Sequence, residues 1–538
     1  MKRIYVNTRI RLLDKIINKF FKSNLEMRYL NRFFKEVPNT VNSKNNNILI
    51  YAGIGHMFLT PLEVLMYHLL IDRGFKVDYS IYDQNIPSNE VITRDRVKNY
   101  GKERFWNNSV KNAQRFLKHS KVNYEFITYD EKVDFLIKKN QNSIESILEF
   151  EYEGIKFGEI VRGALYRFYK SFSYGDDVLV YAKKFMYTAL TNYFYFKKKL
   201  DQKKYKYIFF SHGIYCTWAP IAKYCDSIGQ DYICYDRAKT GGHVTFNLNK
   251  PAPVWDISQA WNRLKNYRLS SSELNKVNHY FSERELQKGD VFAYNFKRKE
   301  KDINVLRDKL KIKPNDSVIT IFTNLIWDAA NVSREIAFKN VIDCIVKTID
   351  RFKKKSGVHI LLRPHPAEEV IGTNERYEDL LMERFNNALP ENVTIIKHEE
   401  KINSFSVIEL SDIGVINTST IGLEMAIEGK PTILISDTHY RNKGFTYDAS
   451  SENHYFQLID NILKNGHDLP NQIDLAKKYF YIMMNEYQHK MPWKISSFNT
   501  FDGYNHKKFS DLKLDKNEKI NMIVDRISSD TFNDFVFK

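Results

Sequence analysis

Ile413-Gly414-Val415-Ile416-Asn417-Thr418-Ser419-Thr420-Ile421-Gly422-Leu423-Glu424 joins a short apolar strand to the start of a helix. Three hydroxyls and a turn of backbone N–H groups converge at the helix N-terminus. There the helix dipole favours an anion, and phosphate is the expected guest. Gly422 has no side chain to keep a ligand away. Glu424, one turn in, is placed to hold ribose hydroxyls. Taken alone, the stretch also reads as an ordinary N-cap with an acidic residue in its first turn.

Outward from it, the strand–helix rhythm repeats. Strands are expected at Ser317–Phe322, Val358–Arg363, Val393–Ile396 and Pro431–Ser436, with helices at about 333–355, 375–387, 403–410 and 421–428. The pattern predicts a parallel sheet covered by helices, with ligands at the carboxyl ends of its strands. A second motif, Leu362-Arg363-Pro364-His365-Pro366, ends one of those strands. Its prolines hold His365 in place to donate to a phosphate oxygen, and Arg363 adds charge. Two such motifs on one sheet argue jointly for a phosphate or diphosphate site, where either alone would not. The loop after the first strand offers Asn324, Trp327 and Asp328 as donor or acceptor contacts, with Trp327 equally readable as a packing anchor. The loop after the last offers His439, Arg441 and Lys443, the two cations suiting a phosphate or an acidic sugar.

A separate βαβ pattern precedes this one. Strands Ile48–Ala52, Lys76–Tyr82, Tyr207–Phe210 and Asp231–Tyr235 are interrupted by a largely helical stretch over 88–205. The expected organisation is a basic segment 1–45, a Rossmann-like domain 46–285 with a helical insertion, a linker 286–316, a second Rossmann-like domain 317–470 and a helical tail 471–538. Two such domains face a cleft. Gly53-Ile54-Gly55-His56 lacks the third glycine of a dinucleotide fingerprint. It reads as a loop that an acceptor approaches. Asp236, Glu159, His212 and Glu63 are the candidates for the base that deprotonates an acceptor hydroxyl. Two of the carboxylates would serve as nucleophile and acid/base if configuration is retained.

The chain has 538 residues, 43% hydrophobic and 14% aromatic, with a formal net charge of +17. That length favours two domains, and the apolar share excludes extensive disorder. The charge points to a polyanionic partner. The basic residues are not arranged with stacking aromatics as in a nucleic-acid module, so no nucleic acid is expected. Residues 1–45 carry 11 Lys/Arg against 3 Asp/Glu. Leu12, Leu13, Ile16, Ile17, Phe20 and Phe21 fall at helical spacing among them. Residues 1–35 fit either an anionic membrane surface or the body of the protein. No apolar run of about 18 residues, and no signal sequence, is found. The four cysteines give neither a disulfide framework nor a CxxC pair. The expected compartment is the cytoplasm, with peripheral attachment to the inner face of its membrane. No metal site is expected: the paired carboxylates Asp176-Asp177 read better as a helix start.

Arg363-Pro364-His365-Pro366, Asn417-Thr418-Ser419-Thr420-Ile421-Gly422-Leu423-Glu424, Glu428-Gly429-Lys430-Pro431 and Ser211-His212-Gly213 together resemble bacterial GT-B glycosyltransferases of the capsule and surface-polysaccharide type. The Kdo transferase-like capsule synthesis proteins belong to that type. The likeness covers 318–450 well and 48–240 weakly. It implies a GT-B fold and transfer from a nucleotide-sugar donor to a glycan or lipid-linked glycan acceptor. It also implies that His365, Ser419 and Thr420 hold the donor phosphate without a cofactor. The same motifs recur in sialyltransferase-like enzymes and in glycerophosphate or sugar-phosphate polymerases of teichoic-acid synthesis. A GT-B-type nucleotide-sugar 2-epimerase is the alternative that needs no acceptor.

Overall fold

The computed structural model describes residues 26–37, 46–53, 59–83, 87–89, 93–95, 97, 102–140, 143–285, 302–368, 372–397, 400, 402–497, 500–529 and 532–538. The first sheet is built from β1 (Asn47–Gly53), β2 (Lys76–Tyr82), β3 (Glu125–Ile127), β4 (Tyr207–Ser211), β5 (Tyr232–Arg237) and β6 (His243–Leu248). The second holds β7 (Ser317–Phe322), β8 (Val358–Arg363), β9 (Val393–Ile395), β10 (Ile413–Ile416), β11 (Thr432–Leu434) and β12 (Tyr447–Asp448). The chain then returns: β13 (His489–Lys490) joins the first sheet, and β14 (Trp493–Ser497) pairs with β15 (Thr500–Tyr504).

The orders are β13-β6-β5-β4-β1-β2-β3 and β12-β11-β10-β7-β8-β9. The second sheet is parallel throughout, and in the first only β6 is reversed, pairing antiparallel with both β5 and β13. Each order reverses once, between β1 and β4 and between β7 and β10. At such a switch point the loops diverge and leave a crevice. Both faces of each sheet are covered, so the strands are apolar on both sides. Ile48, Ile50 and Ala52 enter one core and Leu49 and Tyr51 the opposite one. Val318 and Ile319 divide in the same way in the second sheet. The helix Thr60–Asp72 starts on Pro61 and ends at Gly74. At φ +88°, Gly74 lets its own N–H and that of Phe75 reach the Ile71 and Leu70 carbonyls, both at 3.0 Å.

Several expected boundaries move. The helix expected over 333–355 spans Val341–Phe352. Asn340 caps it by accepting the Asp343 N–H at 2.9 Å. Residues before the cap instead pair with the end of β11, the Ala337 N–H donating to the Ile435 carbonyl at 3.0 Å. The first domain does not run to 285: Ile257, Trp261, Leu264 and Val277 are buried in the second domain's core. Of the expected linker, 286–301 lie outside the described residues, and Leu306, Leu310 and Ile312 pack on the second domain. Nor is 471–538 a helical tail. Its helix Gln472–Tyr481 belongs to the second core, while Trp493, Tyr504, Phe509, Ile523 and Ile527 complete the first.

That completed core also holds Leu30, Phe33 and Phe34 of the helix at 26–33, with Phe33 stacked on Tyr504 at 4.5 Å. Over this stretch the apolar side of the basic N-terminal segment is taken by the protein itself. Leu12–Phe21 lie outside the described residues. Among the described residues no helix is long and apolar enough to cross a membrane.

Candidate functional site

A cavity of about 880 Å³ separates the two sheets. The first half contributes Glu159, Gly213 and Tyr215, and the second Arg334, His439 and Lys443.

At the switch point of the second sheet, the turn after β10 is tied to the loop after β7. The Thr418 N–H donates to Asn324 Oδ1 at 3.3 Å, and the Thr418 hydroxyl donates to Asn331 Oδ1. Asn417 Oδ1 accepts from the Ser436 hydroxyl, linking β10 to β11. The Ser419 hydroxyl accepts the Ile421 N–H at 3.4 Å. At the end of β8, His365 Nδ1 accepts the Ala367 N–H at 3.1 Å. That bond leaves the proton of the neutral ring on Nε2, the tautomer that donates. Thr420 meets the other half of the molecule: Lys239 Nζ donates to its hydroxyl at 2.8 Å. Lys239 lies in the turn between β5 and β6, and nothing in its local sequence marks it, because the contact crosses between domains.

Other residues expected at the phosphate do different work. Arg363 is 4% exposed and donates to the Ile402 carbonyl at 2.9 Å. Burial lowers its pKa to about 10. It secures the core beneath the site. A Cβ on Gly422 would lie 2.4 Å from the Tyr440 hydroxyl and 2.9 Å from the Ile416 side chain. The glycine's missing side chain is therefore accounted for by packing. Glu424 is 1% exposed in the first turn of its helix. Trp327 is a buried anchor donating to Thr373 Oγ1 at 3.0 Å. Asp328 caps the turn at 329–331 through the Ala330 N–H. Arg441, although at the cavity, donates to the carbonyls of Leu434 (3.3 Å) and Ala449 (2.7 Å).

At the switch point of the first sheet, the turn after β4 carries His212, Gly213 and Tyr215, all with positive φ. Such backbone is costly for His212 and Tyr215 and persists only where the surroundings enforce it. Here the His212 N–H donates to the Tyr235 carbonyl at 3.0 Å, and its ring stacks on Trp218 with centroids 4.8 Å apart. Nδ1 meets the Ser211 hydroxyl, and Nε2 lies 3.4 Å from Asp236 Oδ2. Burial lowers the His212 pKa, against the pull of Asp236, so the ring is neutral near pH 7. A carboxylate beside Nε2 favours the tautomer with the ring proton there, which leaves Nδ1 to accept from the Ser211 hydroxyl. The carboxylate is further fixed by the Arg237 N–H, 2.6 Å from Oδ1. Both side chains keep about a fifth of their surface open (22% and 21%).

The remaining base candidates separate from this pair. Glu159 lines the cavity and accepts from the Ser333 hydroxyl at 3.0 Å, bridging the two halves. Glu63 is 1% exposed, in the core of the first domain, where the Tyr79 hydroxyl donates to it at 2.6 Å and the Tyr235 hydroxyl also donates. It is a core residue, not a base for a substrate. Asp176-Asp177 does stand before the helix Val178–Gln202, with Asp177 accepting from the Tyr169 hydroxyl at 2.6 Å.

No protein-family model matches this sequence, and no curated protein matches it. Solved structures similar to it include two KpsC proteins of Thermosulfurimonas dismutans. One is a beta Kdo 2,4 transferase, 12% identical with a TM-score of 0.35, the match covering 57% of this chain and 87% of that one. The other is a beta Kdo 2,7 transferase, 10% identical with a TM-score of 0.33, covering 59% and 86%. The UDP-GlcNAc 2-epimerase from Neisseria meningitidis bound to UDP-GlcNAc is 10% identical with a TM-score of 0.26, covering 81% and 99%.

Proposed function

We propose that this chain is a two-domain GT-B glycosyltransferase, moving a sugar from a nucleotide-sugar donor held mainly by the second half to a glycan hydroxyl presented by the first. One observation carries the reading: the turn after β5 of the first sheet touches the turn after β10, at the switch point of the second. Lys239, three residues beyond Asp236, reaches Thr420 at the end of the phosphate-type turn.

The donor phosphate takes the Nε2–H of His365, the hydroxyls and N–H groups of Ser419 and Thr420, and the Lys239 ammonium. This charge stabilises the leaving phosphate as the glycosidic bond breaks. It also performs the neutralising part of a divalent ion's role, so a metal is not required at the phosphate. Asp236 accepts the proton of the incoming hydroxyl, and His212 holds the carboxylate in position. The acceptor is a surface glycan or lipid-linked glycan, and attachment to an anionic membrane belongs to the same proposal.

The test is turnover of a nucleotide-sugar panel with short glycan acceptors. Asp236→Asn is expected to lower kcat by roughly 10²–10⁴ while donor affinity holds. Undiminished turnover in that variant, or release of a 2-epimer without acceptor, contradicts the reading.

A further inference from the structure

His439, in the wall of the cleft, carries a lone pair that the phosphate and proton-transfer roles leave unused. The Tyr479 hydroxyl donates its single proton to the His439 carbonyl at 2.6 Å. Its oxygen lies 3.0 Å from Nδ1, and can only accept there, so the ring proton is on Nδ1. Nε2, on the opposite edge of the ring, then carries the lone pair. It is buried and meets no donor among the described residues. A buried acceptor left unpaired is costly, which marks Nε2 as a place for a ligand's donor group. The ring cannot turn to find one elsewhere. It is held edge-on to Tyr440 at 4.9 Å and stacked with Tyr479 at 5.8 Å.

The cleft keeps this acceptor neutral. Burial, then Lys239, Arg334 and Lys443, push the ring's pKa down to about 3. The cations come from three separate elements: the β5–β6 turn, the loop after β7 and the loop after β11. Arg334 and Lys443 donate to neutral groups, the Pro253 carbonyl at 3.2 Å and the Ser258 hydroxyl at 3.0 Å. Asp437 acts on both of these cations, with Asp328 also acting on Arg334 and Asp256 and Asp448 on Lys443. An imidazole in this setting accepts a hydrogen bond and does not bind an anion.

We infer that His439 is a specificity-determining residue whose Nε2 accepts a hydrogen bond from a hydroxyl of the donor's sugar, with Tyr479 as the positioning residue that sets its tautomer. The inference rests on the donor reading above and assigns the sugar, as distinct from the phosphate, to the wall formed by the loop after β11.

Calorimetric titration of the full chain with UDP, GDP, CMP and dTDP, each beside a sugar conjugate, separates the two claims. In the wild type one conjugate is expected to bind more tightly than its free nucleotide. His439→Ala should weaken that conjugate roughly three- to tenfold, the weight of one neutral hydrogen bond, and change the free nucleotide less than twofold. Tyr479→Phe keeps the imidazole but frees its tautomer, and should cost the same conjugate a smaller factor. The advantage of conjugate over nucleotide should stay level between pH 6 and 8. Equal weakening of nucleotide and conjugate, no weakening of either, or an advantage that grows as pH falls overturns the assignment. Failure of every nucleotide to bind the wild type sinks the donor reading, and this inference with it.

Discussion

Asp236, near the end of β5, and Lys239, in the turn after it, serve opposite ends of the proposed reaction, acceptor proton and leaving-group charge. Removing Lys239 takes away a charge-assisted contact, typically about 1.5–3 kcal/mol. Lys239→Ala should therefore weaken nucleotide-sugar binding roughly ten- to a hundredfold in a titration, with kcat falling as well. Glu63 tests the opposite kind of residue. Burial, opposed by the hydrogen bonds from Tyr235 and Tyr79, raises its pKa from 4.5 to about 7. The folded state thus binds the proton more tightly than the unfolded one. Its contribution to stability is complete below about pH 4.5 and is lost as pH rises through 7. Glu63→Gln keeps a neutral partner for both tyrosines. It should flatten this part of the stability–pH profile between pH 5 and 8, as measured by denaturant unfolding, without loss of turnover. Hydroxyl-rich turns and a proline-braced histidine were legible in the sequence because their chemistry is local. Glu63 and Gly422 were misread because burial against Tyr79, Tyr235 and Tyr440 has no local signature. Lys239, and Tyr479 as the partner of the expected His439, were hidden for the same reason, since these contacts join separate elements.

Among the elements, the helix Phe157–Tyr169 does the most to join the halves. Glu159 at its start bonds Ser333, and a Cβ on Gly163 would lie 3.2 Å from the Ala329 side chain. Just past its end, Glu375 of the second half accepts from the Ser171 hydroxyl (2.8 Å), the N–H groups of Phe172 (2.8 Å) and Ser173 (3.1 Å) and the Ser173 hydroxyl (2.5 Å). One carboxylate thereby clasps the two domains. Glu375→Ala should cost about 2 kcal/mol and show as a lower Tm, with a more open particle by small-angle scattering. The strand rhythm was readable because parallel strands buried on both faces are short apolar runs. The helical insertion was visible only as helical content, since which face meets the second domain is decided by residues such as Glu375, some two hundred positions away.

For the molecule as a whole, the chain crosses between the two cores more often than its sequence announces. Residues from Ile257 serve the second core, and those from His489 return to the first, pairing β13 with β6. The sequence read this stretch as a helical tail, so neither the strands carrying Trp493 and Tyr504 nor the core that these residues fill with Phe509 and Ile523 was apparent. A chain ending at Gln488 would expose the apolar side of the helix Thr60–Asp72, whose residues are almost all buried. It should lose cooperative unfolding of the first domain in calorimetry while the second still melts.

The account's central claim is that both switch points open on one nucleotide-sugar site. A thermal-shift panel of CMP, UDP, GDP and dTDP with their sugar conjugates, run on the wild type and on Lys239→Ala and Thr420→Ala, tests it most directly. One nucleotide and its conjugate should raise the Tm of the wild type, and both variants, from opposite halves of the protein, should lose most of that rise. No rise with any nucleotide at millimolar concentration, or a rise that survives in both variants, would contradict it.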